Sequence, residues 1–338
     1  MDQHRYIIRD QGRFGFMNET AEIVIEPQYL AVEDFHNKLA LVELIDHWVP
    51  LDWLGRPLLR HLFRRIFPFE SERARVQLAQ RWGFIDTKGR MAIACEYQVA
   101  NDFSDGLAAV KQDDLYGFID PAGAIAIDFN YDLVASFLHG RAPAKLSNQF
   151  GYIDKSGQWI VDPEFDLTLP WMDQVGVYVE DGRWGLLNRD GEFISPARWR
   201  WSPELSPQFV ERLAAVNLND FWGYLNTAGE WQVPPSHVEA QAFQSGLAVV
   251  SDGKKYGFID RQGELVIPHR FSQCGGFQEG LAAVKENGQW GYLNTAGELV
   301  IPCQYDRAQA FRAGLAQVEK SGKWSYLDPE GQEVWRER

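Results

Sequence analysis

The chain has 338 residues, of which 45% are hydrophobic and 14% aromatic, enough to bury a sizeable core and to exclude an intrinsically disordered polypeptide. Its 33 Lys and Arg against 47 Asp and Glu leave a formal net charge of −14, which excludes a general nucleic-acid binder, because neutralising phosphates requires a basic face. Such a surface keeps the protein soluble and would favour a basic patch on a partner.

The opening residues Met1 to Asp10 carry no apolar run of signal-peptide length, and no later stretch approaches the ~20 apolar residues that span a bilayer. Cys95, Cys274 and Cys303 cannot all pair and show no metal-type spacing, so the expected compartment is the reducing cytoplasm, without membrane insertion.

From Phe14 onward the chain repeats. An aromatic residue recurs at Phe14, Trp48, Trp82, Tyr116, Phe150, Trp184, Trp222, Tyr256, Trp290 and Trp324, every step being 34 residues except one of 38 after Trp184. Counting this aromatic as position zero, position one is Gly in eight copies, with Val49 and Ser325 the exceptions. Position four is Asp or Asn in all ten, and position seven is Gly in nine. Asp/Asn-x-x-Gly between apolar segments is a tight turn: the side-chain oxygen accepts a backbone N–H and Gly takes the positive φ. Asn287-Gly288 ahead of Trp290 marks a second hairpin. Each unit therefore reads as a three-stranded antiparallel meander.

Apolar residues stand on both sides of each strand, so both sheet faces are covered and neighbouring units must stack. Pro196, Pro234, Pro268 and Pro302 are read as closing the third strand. The crossing that follows holds an aromatic at position twenty-one, such as Phe103 and Phe311, read as the plug that packs the connection onto the sheets. Whether Tyr131-Asp132 and its equivalents begin a short fourth strand or a helical turn stays open. Tetratricopeptide helices share the 34-residue period, but 30 Gly and 16 Pro at fixed places and the alternating apolar pattern exclude them.

The recurring Trp/Tyr-Gly-Phe/Tyr-Ile/Leu-Asp/Asn-x-x-Gly run, best seen in Trp82, Gly83, Asp86 and Gly89 and in Trp290, Gly291, Asn294 and Gly297, resembles the WG-repeat family of bacterial proteins. The resemblance implies a β-rich array with an interaction role and carries no catalytic residues. The units run at about 5–38, 39–72, 73–106, 107–140, 141–174, 175–212, 213–246, 247–280, 281–314 and 315–338. Because the termini hold whole meanders and ten exceeds the usual blade number, the expected architecture is an open, curved or superhelical solenoid of ten such units; the alternative is a closed propeller-like ring.

Two stretches depart from the pattern. The second copy replaces Trp-Gly-Phe-Ile-Asp by Trp48-Val49-Pro50-Leu51-Asp52, and its crossing is rich in arginine and aromatics, with Arg60, Arg64, Arg65 and Phe67 the candidate contacts. The sixth crossing carries the four extra residues and holds Arg198, Arg200 and Trp201, residue types enriched at binding hot spots. Trp199 falls on a core position. No nucleophile elbow, phosphate loop, dinucleotide fingerprint or metal-type histidine spacing occurs, and turn geometry accounts for the Asp/Asn ladder. The expectation is a non-catalytic protein without cofactor that presents an extended surface to another protein. A carbohydrate or cell-envelope ligand binder is the alternative.

Overall fold

The computed structural model describes residues 4–36, 39–45, 48–58, 63–172 and 174–337. Among them every regular element is a β-strand except one 3-10 turn at Pro203–Leu205. The strands form ten small antiparallel sheets, eight of four strands and two of three, with strands side by side in chain order. The chain divides into two compact units, the break falling between Arg198 and Trp199 and Glu19–Ala21 grouping with the second.

The sheet spanning 99–131, in the first unit, shows the plan. Its strands are Val99–Ala100, Ala108–Gln112, Leu115–Ile119 and Ile125–Tyr131. The first is only two residues long and comes from the crossing, where Val99 pairs with Lys111 and Ala100 with Val110. The three-stranded meander is therefore corrected to four strands in most sheets, and the open question of the crossing resolves as a short strand. Each sheet draws that strand from before the aromatic that opens its repeat. Its two pairs rest on the next hairpin, a non-local partner invisible to local pattern.

The two tight turns form as their chemistry requires. In the later hairpin Asn294 Oδ1 accepts the N–H of Ala296 at 3.1 Å and of Glu298 at 3.0 Å, and Gly297 sits at φ +83°. In the earlier one Asn287 and Gly288 take φ of +50° and +86°, the mirror-image turn that matches strand twist.

Position-one glycine has a different cause. In the sheet spanning 273–305, Trp290 pairs with Tyr305 and Tyr292 with Ile301, so one residue on the third strand faces three on the fourth. The fourth strand bulges across Gly291: a Cβ there would lie 2.7 Å from Cys303 N and 2.8 Å from the Pro302 carbonyl carbon. Gly15, Gly83, Gly117, Gly151, Gly223 and Gly257 meet the same backbone crossing. Proline is placed by the bulge as well. Pro302 does not close its strand, as expected from the sequence, but sits within Leu299–Tyr305. That strand is the edge of its sheet, where a missing N–H costs no ladder bond.

Between consecutive sheets of a unit lies a small apolar core. One such core joins Phe84, Ile93 and Tyr97 of one sheet to Ala100, Phe103, Ala108, Val110 and Ile119 of the next. Its centre is a pair formed by the position-two aromatic and the position-twenty-one aromatic of the following crossing. Phe84 with Phe103, Phe118 with Phe137, Tyr224 with Phe243 and Tyr292 with Phe311 meet at centroid distances between 4.7 and 5.0 Å, tilted or edge to face. Where position two is Tyr, its hydroxyl also donates across: Tyr224 Oη to the Gln241 carbonyl at 2.7 Å and Tyr292 Oη to Gln309 at 2.6 Å.

A polar latch supplements the aromatic pair. Asp105 Oδ2 accepts the Gly140 N–H at 2.6 Å while Oδ1 lies 2.9 Å from Lys155 Nζ; Glu211 repeats this with Gly246 and Arg261, and Glu279 takes the N–H of Gly314 at 2.8 Å. Each latch ties one sheet's crossing turn to the next repeat.

Replacing Gly291 by Ala should cost roughly 1–3 kcal/mol or more, because the fourth strand must move. Gly275→Ala is the control: a Cβ there makes one ordinary contact, 3.8 Å from Ala283 O. Its cost should stay within about 0.5 kcal/mol. Denaturant midpoints of the two variants check this, and equal losses would remove the crossing as the reason for glycine.

A second expectation concerns acid. The Ser156 hydroxyl, outweighing desolvation, and then the N–H groups of Gln158 and Ser156 hold the Asp154 carboxyl below the usual range. A depressed carboxyl stabilises above its unfolded value, near ~3.9, and that contribution is lost as pH falls through the folded value. The difference between wild type and Asp154→Ala in thermal midpoint should be widest at neutral pH and narrow steadily below about pH 4. A difference unchanged down to the folded value would contradict it.

Candidate functional site

The second sheet, in the first unit, is the irregular one. Its strands are Ala31–Val32, Leu39–Glu43 and Trp48–Asp52, and no fourth strand is present among the described residues. Val49 stands at position one here and is 7% exposed. The turn at Asp52 survives, its Oδ1 accepting the N–H groups of Leu54 and Arg56, both at 2.9 Å. Among the described residues that follow, Leu51 and Pro57 form an isolated bridge.

Beside this sheet lies a cleft of about 880 Å³ lined by Glu33, Leu41, Trp48, Phe63, Arg64, Arg65, Ile66, Phe67, Leu78 and Ala79. The aromatic and aliphatic side chains give it an apolar lining. Arg64 and Arg65 are exposed, and neither guanidinium has an ion-pair or hydrogen-bond partner among the described residues. Burial pushes the Glu33 carboxyl above its usual value, with His36 opposing.

The structure sorts the arginines of this stretch by commitment. Arg56 pairs with Asp52 at 2.6 Å in an exposed turn. Arg73 donates twice to the Pro121 carbonyl, at 3.0 and 2.9 Å. Arg75 is internal: its guanidinium lies 4.0 Å from the Phe67 ring centroid and 5.0 Å from that of Trp82, bonds the Ala100 carbonyl, and pairs with Asp102 at 3.1 Å. Desolvation raises the Asp102 carboxyl, Arg75 opposing and Glu70 adding to it. Arg64 and Arg65 are what remains. Arg60 lies outside the described residues.

Position sixteen differs between copies. Four of the others place Asp or Gln there, Leu30, Arg200, Val238 and Ser272 standing in the rest, and in three of the four that side chain caps the hairpin about fifteen residues later: Asp166 accepts the Asp181 N–H at 2.8 Å, Asp306 that of Ser321 at 2.7 Å, and Gln98 that of Asp114 at 3.1 Å. In the second copy the residue is Arg64. Its backbone still makes the regular bond, Arg64 N to Gln77 O at 2.9 Å. Its side chain cannot accept, and Ala79, at the uncapped hairpin, lines the cleft. This reversal of charge was readable in the sequence by comparing Arg64 with Asp132, Asp166 and Asp306. Glu33 and Leu78 were not readable as lining, because they come from the repeats on either side, and Trp48 and Leu41 because they lie on other strands of the same repeat.

The sixth crossing looks different. Trp199 is 4% exposed and belongs to the core, as its position indicated. Arg198 and Arg200 are exposed near the end of Phe193–Arg200, and the Arg198 carbonyl accepts from Arg183 Nη1 at 3.0 Å. Trp201 is half-buried, with its indole N–H shielded from solvent and no partner for it among the described residues. Arg200 and Trp201 belong to the second unit, and the residues that line the cleft to the first. Burial raises the thiols of Cys95 and Cys303 and pushes that of Cys274 up to about 12, which disfavours their thiolate forms.

Comparison with known proteins agrees with the repeat chemistry. The profile of the WG containing repeat family matches residues 14–45, 82–116, 116–149, 150–175, 222–256, 256–290 and 290–324, more than half of the chain. The chain belongs to that family. The profile passes over three copies: those opened by Trp48 and Trp184, which precede the two irregular crossings, and the last, opened by Trp324. No protein of curated function matches the sequence.

Among solved structures, a eukaryotic initiation factor superposes with a TM-score of 0.58 at 9% identity, over 99% of this chain and 96% of that one. AztD from Citrobacter koseri in its apo form gives a TM-score of 0.40 at 12% identity over 90% and 93%, and Hsv2 from Kluyveromyces lactis 0.39 at 9% over 76% and 94%. The first of these shows the fold alone, and it places the chain in the β-propeller class, so the expected open solenoid gives way to the propeller-like alternative. Counting whole three-stranded meanders at the termini led to the solenoid. With four strands per sheet that count loses its meaning, since the first sheet shows three among the described residues and the last shows four. No helix among the described residues is long and apolar enough to cross a membrane.

The sorting of arginines can be measured. Arg75→Met should lose roughly 1–3 kcal/mol, because Asp102 and the Ala100 carbonyl lose a charged partner in a partly desolvated place. Arg64→Ala should stay within about 0.5 kcal/mol. Comparable losses in chemical denaturation would show that Arg64 is structurally engaged after all.

Proposed function

We propose that this protein is a non-catalytic, cofactor-free interaction scaffold of the cytoplasm whose repeat surface holds another protein, with the second-repeat cleft as the principal contact. The observation that carries the reading is the pair of uncommitted guanidiniums, Arg64 and Arg65, on an aromatic cleft of about 880 Å³ where the repeat pattern fails. Free Arg beside Trp and Phe is the composition of binding hot spots. Irregularities in repeat proteins map to binding faces, and the β-propeller class lends itself to that use. Raised thiols and turn-bound carboxylates supply no acid, base or nucleophile arrangement to argue for chemistry.

Affinity capture from a native extract with the full-length protein as bait tests this. Arg64→Ala with Arg65→Ala should reduce recovery of the specific partner about tenfold, the effect of losing ~1.4 kcal/mol, while Arg200→Ala leaves it nearly unchanged. Recovery that depends on Arg200 and Trp201 and ignores Arg64 and Arg65 would move the contact to the sixth crossing. No specific partner at all would remove the scaffold reading.

A further inference from the structure

We infer that the second-repeat cleft takes an acidic peptide segment of a partner, one aromatic or branched aliphatic side chain seated against Trp48, Phe63 and Phe67 and carboxylates paired with Arg64 and Arg65. This rests on the scaffold reading and specifies what the contact recognises.

The argument starts from charge. In a chain of net charge −14, an acidic segment is repelled by most of the surface. Of the arginines described between Arg56 and Arg75, three are held by Asp52, by the Pro121 carbonyl and by Asp102 with two aromatic rings. Arg64 and Arg65 are adjacent and have no ion-pair or side-chain hydrogen-bond partner among the described residues. Arg64 also occupies the position where Asp166 and Asp306 accept a backbone N–H, so the local demand is inverted: copies with Asp present an acceptor to the chain, and this copy presents a donor. Guanidinium is the side chain best shaped to grip a carboxylate with two parallel hydrogen bonds.

The apolar part fixes the second requirement. Trp48 and Phe67 are half-buried, so the lining has ring surface left for a ligand to cover. Leu78, 46% exposed, continues the apolar surface beyond the arginines, which suits an extended segment better than a compact ligand. Nucleic acid is disfavoured, since two cations neutralise too little phosphate to overcome the net charge. Glu33 adds a single carboxylate to the lining, forms no ion pair with either arginine, and discourages a second anionic residue at its own end. The preferred segment therefore has its acids on the Arg64–Arg65 side of the anchor.

The experiment uses full-length protein and fluorescence anisotropy with three matched sets of short labelled peptides. Each carries a central Phe or Leu, flanked by Asp and Glu, by Asn and Gln, or by Lys. The acidic set should bind about tenfold tighter than the amide set, and the gap should shrink as salt is raised. Arg64→Glu with Arg65→Glu should invert the order in favour of the lysine set, an outcome that loss of folding cannot produce. Equal binding of acidic and amide sets, absence of binding, or an order untouched by the charge reversal overturns the inference. If the peptides fail while partner capture still depends on Arg64 and Arg65, the acidic-segment inference falls and the scaffold reading stands. Acidic peptides that bind with the predicted reversal support the inference even where no partner is captured, and the scaffold reading then falls by itself.

Discussion

Everything regular in this molecule depends on a backbone crossing a residue with no side chain. The fourth strand of a sheet bulges over the glycine after the repeat's aromatic, and at seven positions a Cβ would meet that strand's backbone. The bulge bends the strand, which carries position fifteen opposite position zero, as Tyr305 lies opposite Trp290. The strand then runs on within a residue or two into the short first strand of the next sheet, as Tyr97 is followed by Val99–Ala100. Tight crossing and short link together set where the next sheet begins. The aromatic of the following crossing then arrives against position two, and the core between sheets closes around that pair.

One exception to glycine supports this order of causes. Ser325 lies in the last sheet, where it pairs with Arg336 without the large bulge, and glycine is not required there. At the other exception a buried Val, 7% exposed at Val49, contributes packing that glycine cannot. Glycine at position one is thus a marker of the crossing. At position seven the same residue serves a different end, the positive φ of a turn, and the two needs are independent although both read as Gly.

Most of the fold was legible because it is local. Period, both hairpins, the Asp/Asn turns and the buried aromatics follow from patterns within a dozen residues, and Trp290, Asn294, Gly297 and Phe311 take the places their chemistry indicated. The fourth strand was not legible, since two residues such as Val99 and Ala100 have no periodicity to detect and are strands only by virtue of Lys111 and Val110. Pro302 misled because proline ends a strand only when its nitrogen faces a partner; at an outer edge it does not. Of the candidate contacts, Arg64, Arg65 and Phe67 come together on one cleft, whereas Trp201 turned out half-buried. Composition cannot distinguish Arg75, half-buried against Phe67 and Trp82, from Arg64, exposed eleven residues earlier. Only the partners do.

A repeat architecture makes such a site inexpensive to form. In a globular core, losing a capping carboxylate would disturb a shared interior. Here each sheet is held by its neighbours, so the loss stays local. The next sheet holds one lining residue directly: Arg75 joins Phe67, Trp82 and Asp102 in one stack. A rigid wall behind and an uncapped hairpin in front is the combination that lets a binding surface be specific without the fold being weakened. The same residue substitution in a copy flanked by nothing so firmly held would leave a defect. The cleft is therefore best understood as two linked changes, the loss of an acceptor at Arg64 and the gain of an internal anchor at Arg75.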